Sequence, residues 1–175
     1  MKRMLPARKA NRLPAFDYSQ NGAYFLTICT KNRECLFWEQ PFPHTVGERI
    51  ALPQNDYSLS PEGEIVRRRI EEITKHYSSV SVDRYVIMPN HVHLLLRIEE
   101  DAGGGRAMRA PTVSTLVCQL KGAVSKDVGQ KIWQRSFHDH VIRNERDYTE
   151  IWQYIEDNPR RWREDKLFCA SPDRM

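Results

Sequence analysis

Cysteine is scarce in this 175-residue chain, and what there is forms no motif. Cys29, Cys35, Cys118 and Cys169 contain no CxxC pair, so neither a zinc ribbon nor a thiol redox motif is present. Cys29 and Cys118 fall in apolar patterns and read as small core residues. Long apolar runs are also missing: none approaches the roughly 18 residues that would cross a bilayer. The opening MKRMLPARKA has basic residues but no apolar stretch behind them, so it does not read as a secretory leader. These absences point to a cytoplasmic protein with reduced thiols and no membrane partner.

Acidic residues are missing from particular places. Overall, 27 Lys and Arg face 23 Asp and Glu, a net charge of +4. Residues 1–14, however, hold Lys2, Arg3, Arg8, Lys9 and Arg12 with no acid. Residues 102–135 hold Arg106, Arg109, Lys121, Lys126, Lys131 and Arg135 against Asp127 alone. Arg160, Arg161 and Arg163 form a third group. One such cluster is ordinary solvated surface. Three in a chain of single-domain length favour a polyanionic partner. Residues 1–14 are expected to be a basic arm, 15–168 the folded domain and 169–175 a tail.

Within the domain the pattern alternates between the two hydrophobic periods. AYFLTICT (23–30) is β-branched and aromatic, a strand. Residues 38–60 read as a long loop, with a short hairpin as the alternative. SPEGEIVRRRIEEITKHY (60–77) predicts one helix, capped by Ser60 with Pro61 in its first turn and striped by Ile65, Val66, Ile70, Ile73 and Tyr77. SVDRYVIM (81–88), a Pro89-Asn90 turn and HVHLLLRI (91–98) read as a hairpin. PTVSTLVCQLKGAVSKDV (111–128) is a helix, and residues 132–144 contain a fourth strand. ERDYTEIWQYIEDN (145–158) is a last helix with Asn144 as cap, which Pro159 should end or bend near Asn158. The order β-α-β-β-α-β-α makes the chain α+β. Its first six elements match the ferredoxin-like split βαβ pattern, an antiparallel sheet with two helices on one face. The seventh is extra.

The segment MPNHVHLLL (88–96) poses the functional question. Strand alternation points His91 and His93 to one face and Val92 to the other, with residues two apart separated by roughly 7 Å. Two imidazoles so placed can converge on one metal ion. They are equally what an incidental exposed strand pair looks like, and a two-histidine site needs a third ligand. The last helix offers one: Tyr154 and Asn158, four residues apart, share a face. Tyr154 lies on the flank of the apolar stripe made by Tyr148, Ile151, Trp152 and Ile155. Taken alone it also reads as a packing residue with its hydroxyl at the rim. His138 and His140 are same-face neighbours too, and read as structural or peripheral.

YVIMPNHVHLLL, followed downstream by WQRSFHDHVIRNERDYTEIWQYIEDNPRRW, resembles the REP-associated tyrosine transposases of the single-tyrosine HUH superfamily. FDYSQNGAYFLTICTKNRECLF resembles the same family's first strand and its flanks. The likeness spans about residues 12–163. It implies that His91, His93 and Asn158 bind a divalent cation, Mg²⁺ or Mn²⁺, although imidazole ligands alone equally suit Zn²⁺ or Ni²⁺. It implies that Tyr154 is the nucleophile, carried on the extra helix. The implied reaction is cleavage and transfer of single-stranded DNA through a 5′-phosphotyrosine, on hairpins of palindromic repeats. It also implies a monomer, with the dimers of the wider superfamily as the alternative. A domesticated protein of the same fold that only binds or nicks DNA, and a metal-dependent hydrolase in which Tyr154 merely packs, are the competing readings.

Overall fold

A computed structural model describes residues 21–39, 57–99 and 111–168. Lys2, Arg3, Arg8, Lys9, Arg12, Arg106, Arg109 and Cys169 lie outside them. Four strands, β1 (Gly22–Cys29), β2 (Val80–Met88), β3 (His91–Ile98) and β4 (His138–Ile142), form one sheet in the order β2-β3-β1-β4. Every pairing is antiparallel. Helices α1 (Pro61–Glu71), α2 (Ile73–His76), α3 (Val113–Val128) and α4 (Glu145–Asp157) complete the described elements, with 3-10 segments over Lys31–Arg33 and Asn158–Glu164. This is the expected α+β, ferredoxin-like arrangement with an added C-terminal helix.

The added helix explains why β3 is buried on both faces. Tyr24, Leu26, Ile28, Val92, Leu94, Leu96 and Ile98 are buried on one face of the sheet. Tyr85 reaches from that side to Glu71 of α1, its hydroxyl donating at 3.1 Å. On the opposite face, α4 is fastened to β2. Arg84 pairs with Glu156 at 3.1 Å and lies over the Trp152 ring, and the Tyr148 hydroxyl donates to Asp83 at 2.9 Å. His91, His93 and Leu95 therefore sit beneath a helix instead of facing water, and only Arg97 of β3 is exposed.

The expected caps are present. Ser60 accepts from Gly63 N–H at 3.1 Å, and Asn144 accepts from Asp147 N–H at 2.9 Å. Two expectations need correction. The single helix over residues 60–77 is divided at Glu72, whose backbone stays right-handed (φ −75°, ψ −19°), so the axis tightens without turning away. Cys118 is exposed, not in the core: the buried stripe of α3 is Val113, Leu116, Val117, Leu120 and Val124, and Cys118 lies one residue past it.

Of the described helical glycines, Gly63 is the one where absence of a side chain is required. A Cβ there would sit 2.3 Å from the Phe37 carbonyl oxygen, which already accepts from Ser60 N–H. Alanine would gain helix propensity of about 1 kcal/mol, but a backbone atom cannot move aside as a side-chain tip can. Gly63→Ala is expected to lose about 1–3 kcal/mol net, measured as a lowered midpoint in urea unfolding. An unchanged or raised midpoint would contradict this packing.

Candidate active site

The hairpin between β2 and β3 delivers both histidines to one point. His91 opposes Met88 and Cys29, and His93 opposes Val86 and Thr27. The two Nε2 atoms lie 3.0 Å apart, with His91 fully buried and His93 nearly so. Incidental exposed histidines are thereby excluded. Burial pushes both imidazoles down to about 3, so both are neutral near pH 7.

The neighbouring Asn90, which the sequence reading treated only as a turn residue, fixes one of them. Its Nδ2 donates to the carbonyls of Leu167 at 2.9 Å and Arg33 at 3.3 Å. That orientation leaves Oδ1 to accept from His91 Nδ1–H at 2.8 Å, so the Nε2 of His91 carries a bare lone pair. Arg33 and Asn32 hold left-handed backbones (φ 59° and 56°), a strained turn that presents the Arg33 carbonyl to Asn90. His93 Nδ1 lies 2.9 Å from Thr27 Oγ1, a hydroxyl that can donate or accept. The pair can therefore share a proton between the Nε2 atoms, or give both lone pairs to one cation.

Tyr154 closes the site from α4. Ile155 is anchored in the core, and the helix turn places Tyr154 beside it, 45% exposed. Its hydroxyl is 3.3 Å from His93 Nε2. Phe25 of β1 stacks on His93 and meets Tyr154 edge-on, which sets the angle of both rings. Burial raises the Tyr154 phenol above its ordinary value; Asp165 adds to this, while Asn158 and Arg161 oppose it. The resting phenol is therefore protonated.

Asn158 is buried, yet neither amide atom completes a hydrogen bond of normal geometry. It lies close enough to Tyr154 to favour the phenolate. Its backbone is helical (φ −55°, ψ −44°) although a proline follows. Pro159, lacking an N–H, ends the α-helix as expected, but the chain continues as the 3-10 segment. Asp165, which the sequence reading did not single out, follows that segment. One atom from each of His91, His93 and Asp165 lies within 4.8 Å of the others. Two bare or sharable imidazole nitrogens, a buried carboxylate and an unpartnered amide are a donor set that fits a divalent cation.

The described basic residues divide in role. Lys121 is half-buried and donates to the carbonyls of Gln134 and Ser136 at 2.9 and 2.8 Å, so it ties α3 to the approach of β4. Lys126 and Arg135 are exposed. Asp127, the lone acid of its cluster, is taken up by Arg68 and Arg69 of α1, at 3.0 and 2.7 Å. His138 and His140 are exposed on β4, and His140 Nε2 lies 2.8 Å from Asp147 Oδ2. Among the described residues no helix is long and apolar enough to cross a membrane.

Comparisons with known proteins place the chain in a family. The sequence profile of the family described as "Transposase IS200 like" matches residues 19–158, a span that includes His91, His93, Tyr154 and Asn158. An uncharacterised protein of Haemophilus influenzae is 33% identical over 179 residues, covering 92% of this chain and 93% of that one. A REP-associated tyrosine transposase of Escherichia coli is 26% identical over 144 residues, covering 81% of this chain and 68% of that one. The fold is similar to the solved structure of a REP-associated tyrosine transposase bound to a REP hairpin, with a TM-score of 0.51 at 20% identity, covering 89% of this chain and 73% of that one. With the family match spanning both histidines and the helix that carries Tyr154, the chain belongs to the IS200-like transposases and is a tyrosine transposase, an enzyme of DNA cleavage and strand transfer.

Proposed function

We propose that this enzyme cuts single-stranded DNA at hairpin-forming palindromic repeats through a covalent bond to Tyr154. The observation that carries the reading is the approach of the Tyr154 hydroxyl to within 3.3 Å of His93, which is itself 3.0 Å from His91. A tyrosine that only packed would have no reason to meet two converging imidazoles.

The chemistry follows from the residues. Tyr154 Oη attacks a backbone phosphorus, the bond to the departing 3′-oxygen breaks, and that oxygen leaves as a free 3′-hydroxyl. The DNA 5′ end stays on the tyrosine as a phosphodiester. Attack by another 3′-hydroxyl reverses the step and joins strands, so bond energy is conserved and no nucleotide triphosphate is consumed. At an ordinary phenol value near 10, ionising tyrosine at pH 7 costs about 4 kcal/mol, and burial here raises that cost. His91, His93 and Asn158 would hold a divalent cation, Mg²⁺ or Mn²⁺, which supplies positive charge to the phosphate and to the developing phenolate. Asn90 keeps the His91 lone pair aimed inward, and Phe25 keeps Tyr154 over His93. Tyr154 is partly exposed, so a strand entering from solvent can reach the residue.

Phosphate contacts would come from Lys126, Arg135 and the basic arm, with Lys2, Arg3, Arg8, Lys9 and Arg12, and from Arg106 and Arg109. Such contacts make binding salt-dependent, with a slope of about 0.7 per phosphate on single strands and about 0.9 on duplex. The test is binding of hairpin oligonucleotides copied from palindromic repeats flanking the gene, against random duplex of equal length. A hairpin with a single-stranded flank is expected to bind more tightly, and deletion of residues 1–11 to weaken binding and flatten the salt slope. Equal affinity for hairpin and random duplex at moderate salt would overturn the substrate assignment. The protein is expected to act as a monomer.

A further inference from the structure

Asp165 is a buried carboxylate whose partners among the described residues are a histidine, a backbone N–H and the Tyr154 hydroxyl, with no Lys or Arg in ion-pair contact. Its side chain is 6% exposed, and a buried carboxylate needs a cation or several donors. Leu167 N–H donates to Oδ1 at 2.6 Å, which pins the group and aims Oδ2 inward. Among the described residues its one ion-pair contact is His91 Nε2, 4.0 Å from Oδ2. That nitrogen carries the lone pair left by the Asn90 hydrogen bond, so it offers no proton. The Tyr154 hydroxyl is a hydrogen-bond partner of the same carboxylate, but between His91 Nε2 and Asp165 Oδ2 a lone pair and a carboxylate oxygen face each other with no proton to share.

We infer that Asp165 is a protein ligand of the same cation that His91 and His93 hold, supplying the site's one negative charge. This rests on the metal reading above and deepens it. Two imidazoles and an amide are neutral donors, a set that suits soft or borderline ions as well as hard ones. Adding a carboxylate turns the set into two nitrogens and two oxygens with a net charge of −1. That change favours hard, oxygen-seeking Mg²⁺ and Mn²⁺, which bind weakly where no carboxylate is offered. The position of Asp165 also makes sense of the 3-10 segment. Asn158 opens it and Asp165 immediately follows it, so one short, tightly wound stretch brings two oxygen donors back to the hairpin. The same stretch leads to the Leu167 carbonyl that orients Asn90.

The test uses Mn²⁺ and Zn²⁺ alone, without DNA, titrated calorimetrically into the metal-free full-length protein. Asp165→Asn and Asp165→Ser both retain an acceptor for Leu167 N–H, so the turn survives in at least one of them, and circular dichroism identifies the folded variant. Wild type is expected to bind one Mn²⁺. The Asp165 variants should bind Mn²⁺ roughly 100-fold more weakly, since even an outer-sphere partner typically contributes 10–100-fold. They should lose no more than about tenfold for Zn²⁺, which the imidazoles satisfy. Equal losses for both metals, or Mn²⁺ affinity unchanged, would overturn the role of Asp165 and leave it as a hydrogen-bond partner of Tyr154 or of the turn. The double variant His91→Ala, His93→Ala separates the two levels. If it loses Mn²⁺ while the Asp165 variants do not, only this inference fails. If it too binds as wild type does, the metal reading fails with it.

Discussion

Tyr154→Phe is expected to abolish the covalent protein–DNA adduct while leaving the protein folded and bound to its DNA. The substitution removes one oxygen from a side chain that is 45% exposed. The hydroxyl lies 3.3 Å from His93 and also bears on Asn158 and Asp165, so losing these contacts of a partly exposed group should cost no more than about 1–2 kcal/mol. The aromatic contacts with Phe25 and His93 survive in phenylalanine. DNA affinity depends on phosphate contacts elsewhere and should change little. Cleavage requires the lost oxygen itself, and no neighbouring group can replace it: Tyr148 is engaged by Asp83 and Tyr24 is fully buried in the core. Residual cleavage above a few per cent of wild type, measured on a labelled hairpin with a single-stranded flank, would mean that a different nucleophile operates.

Replacing His91 and His93 together by alanine should remove both metal-dependent cleavage and the thermal response to metal. A cation held at 100 times its dissociation constant stabilises the folded protein by about 2.7 kcal/mol. For a chain of this size that corresponds to a rise of roughly 5–10 °C in melting temperature. Wild type should show such a rise with saturating Mn²⁺ and lose it on chelation. The double variant should melt at the same temperature with and without Mn²⁺. Its own melting point will be lower, because His91 is fully buried and its removal leaves a cavity. The comparison within each variant isolates the metal from that packing loss. Cleavage at the wild-type rate by the double variant in the presence of a chelator would refute the metal requirement.

Much of this site could be read from residue order. The period-2 spacing of His91 and His93 placed them on one face, and the four-residue spacing of Tyr154 and Asn158 did the same on a helix. Neither spacing carries depth. His–Val–His looks identical whether the face is open to water or covered, and its burial depends on α4 crossing the second face of the sheet. That crossing is made by scattered pairs, Arg84 with Glu156 and Asp83 with Tyr148, which have no local signature. Asn90 was legible as a turn residue but not as the group that orients His91, because its role needs Leu167, 77 positions away. Asp165 sits in a charged stretch, REDK, where a lone acid carries no periodic signal. The misplacement of Cys118 has a simpler cause: an apolar residue next to an apolar stripe was assigned to it, although one helical step is enough to turn it outward.

One tyrosine is expected to form the bond to DNA, and that bond can be located chemically. Wild-type protein is incubated with Mn²⁺ and a hairpin oligonucleotide carrying a single-stranded flank, the covalent fraction is isolated under denaturing conditions, and the DNA is trimmed to its terminal nucleotide. Mass spectrometry of the protein digest then locates the nucleotide. It is expected on the peptide containing Tyr154, joined through a 5′-phosphate, in a chain that offers seven tyrosines. A nucleotide on any other residue, or efficient cleavage with no adduct at all, would contradict that expectation.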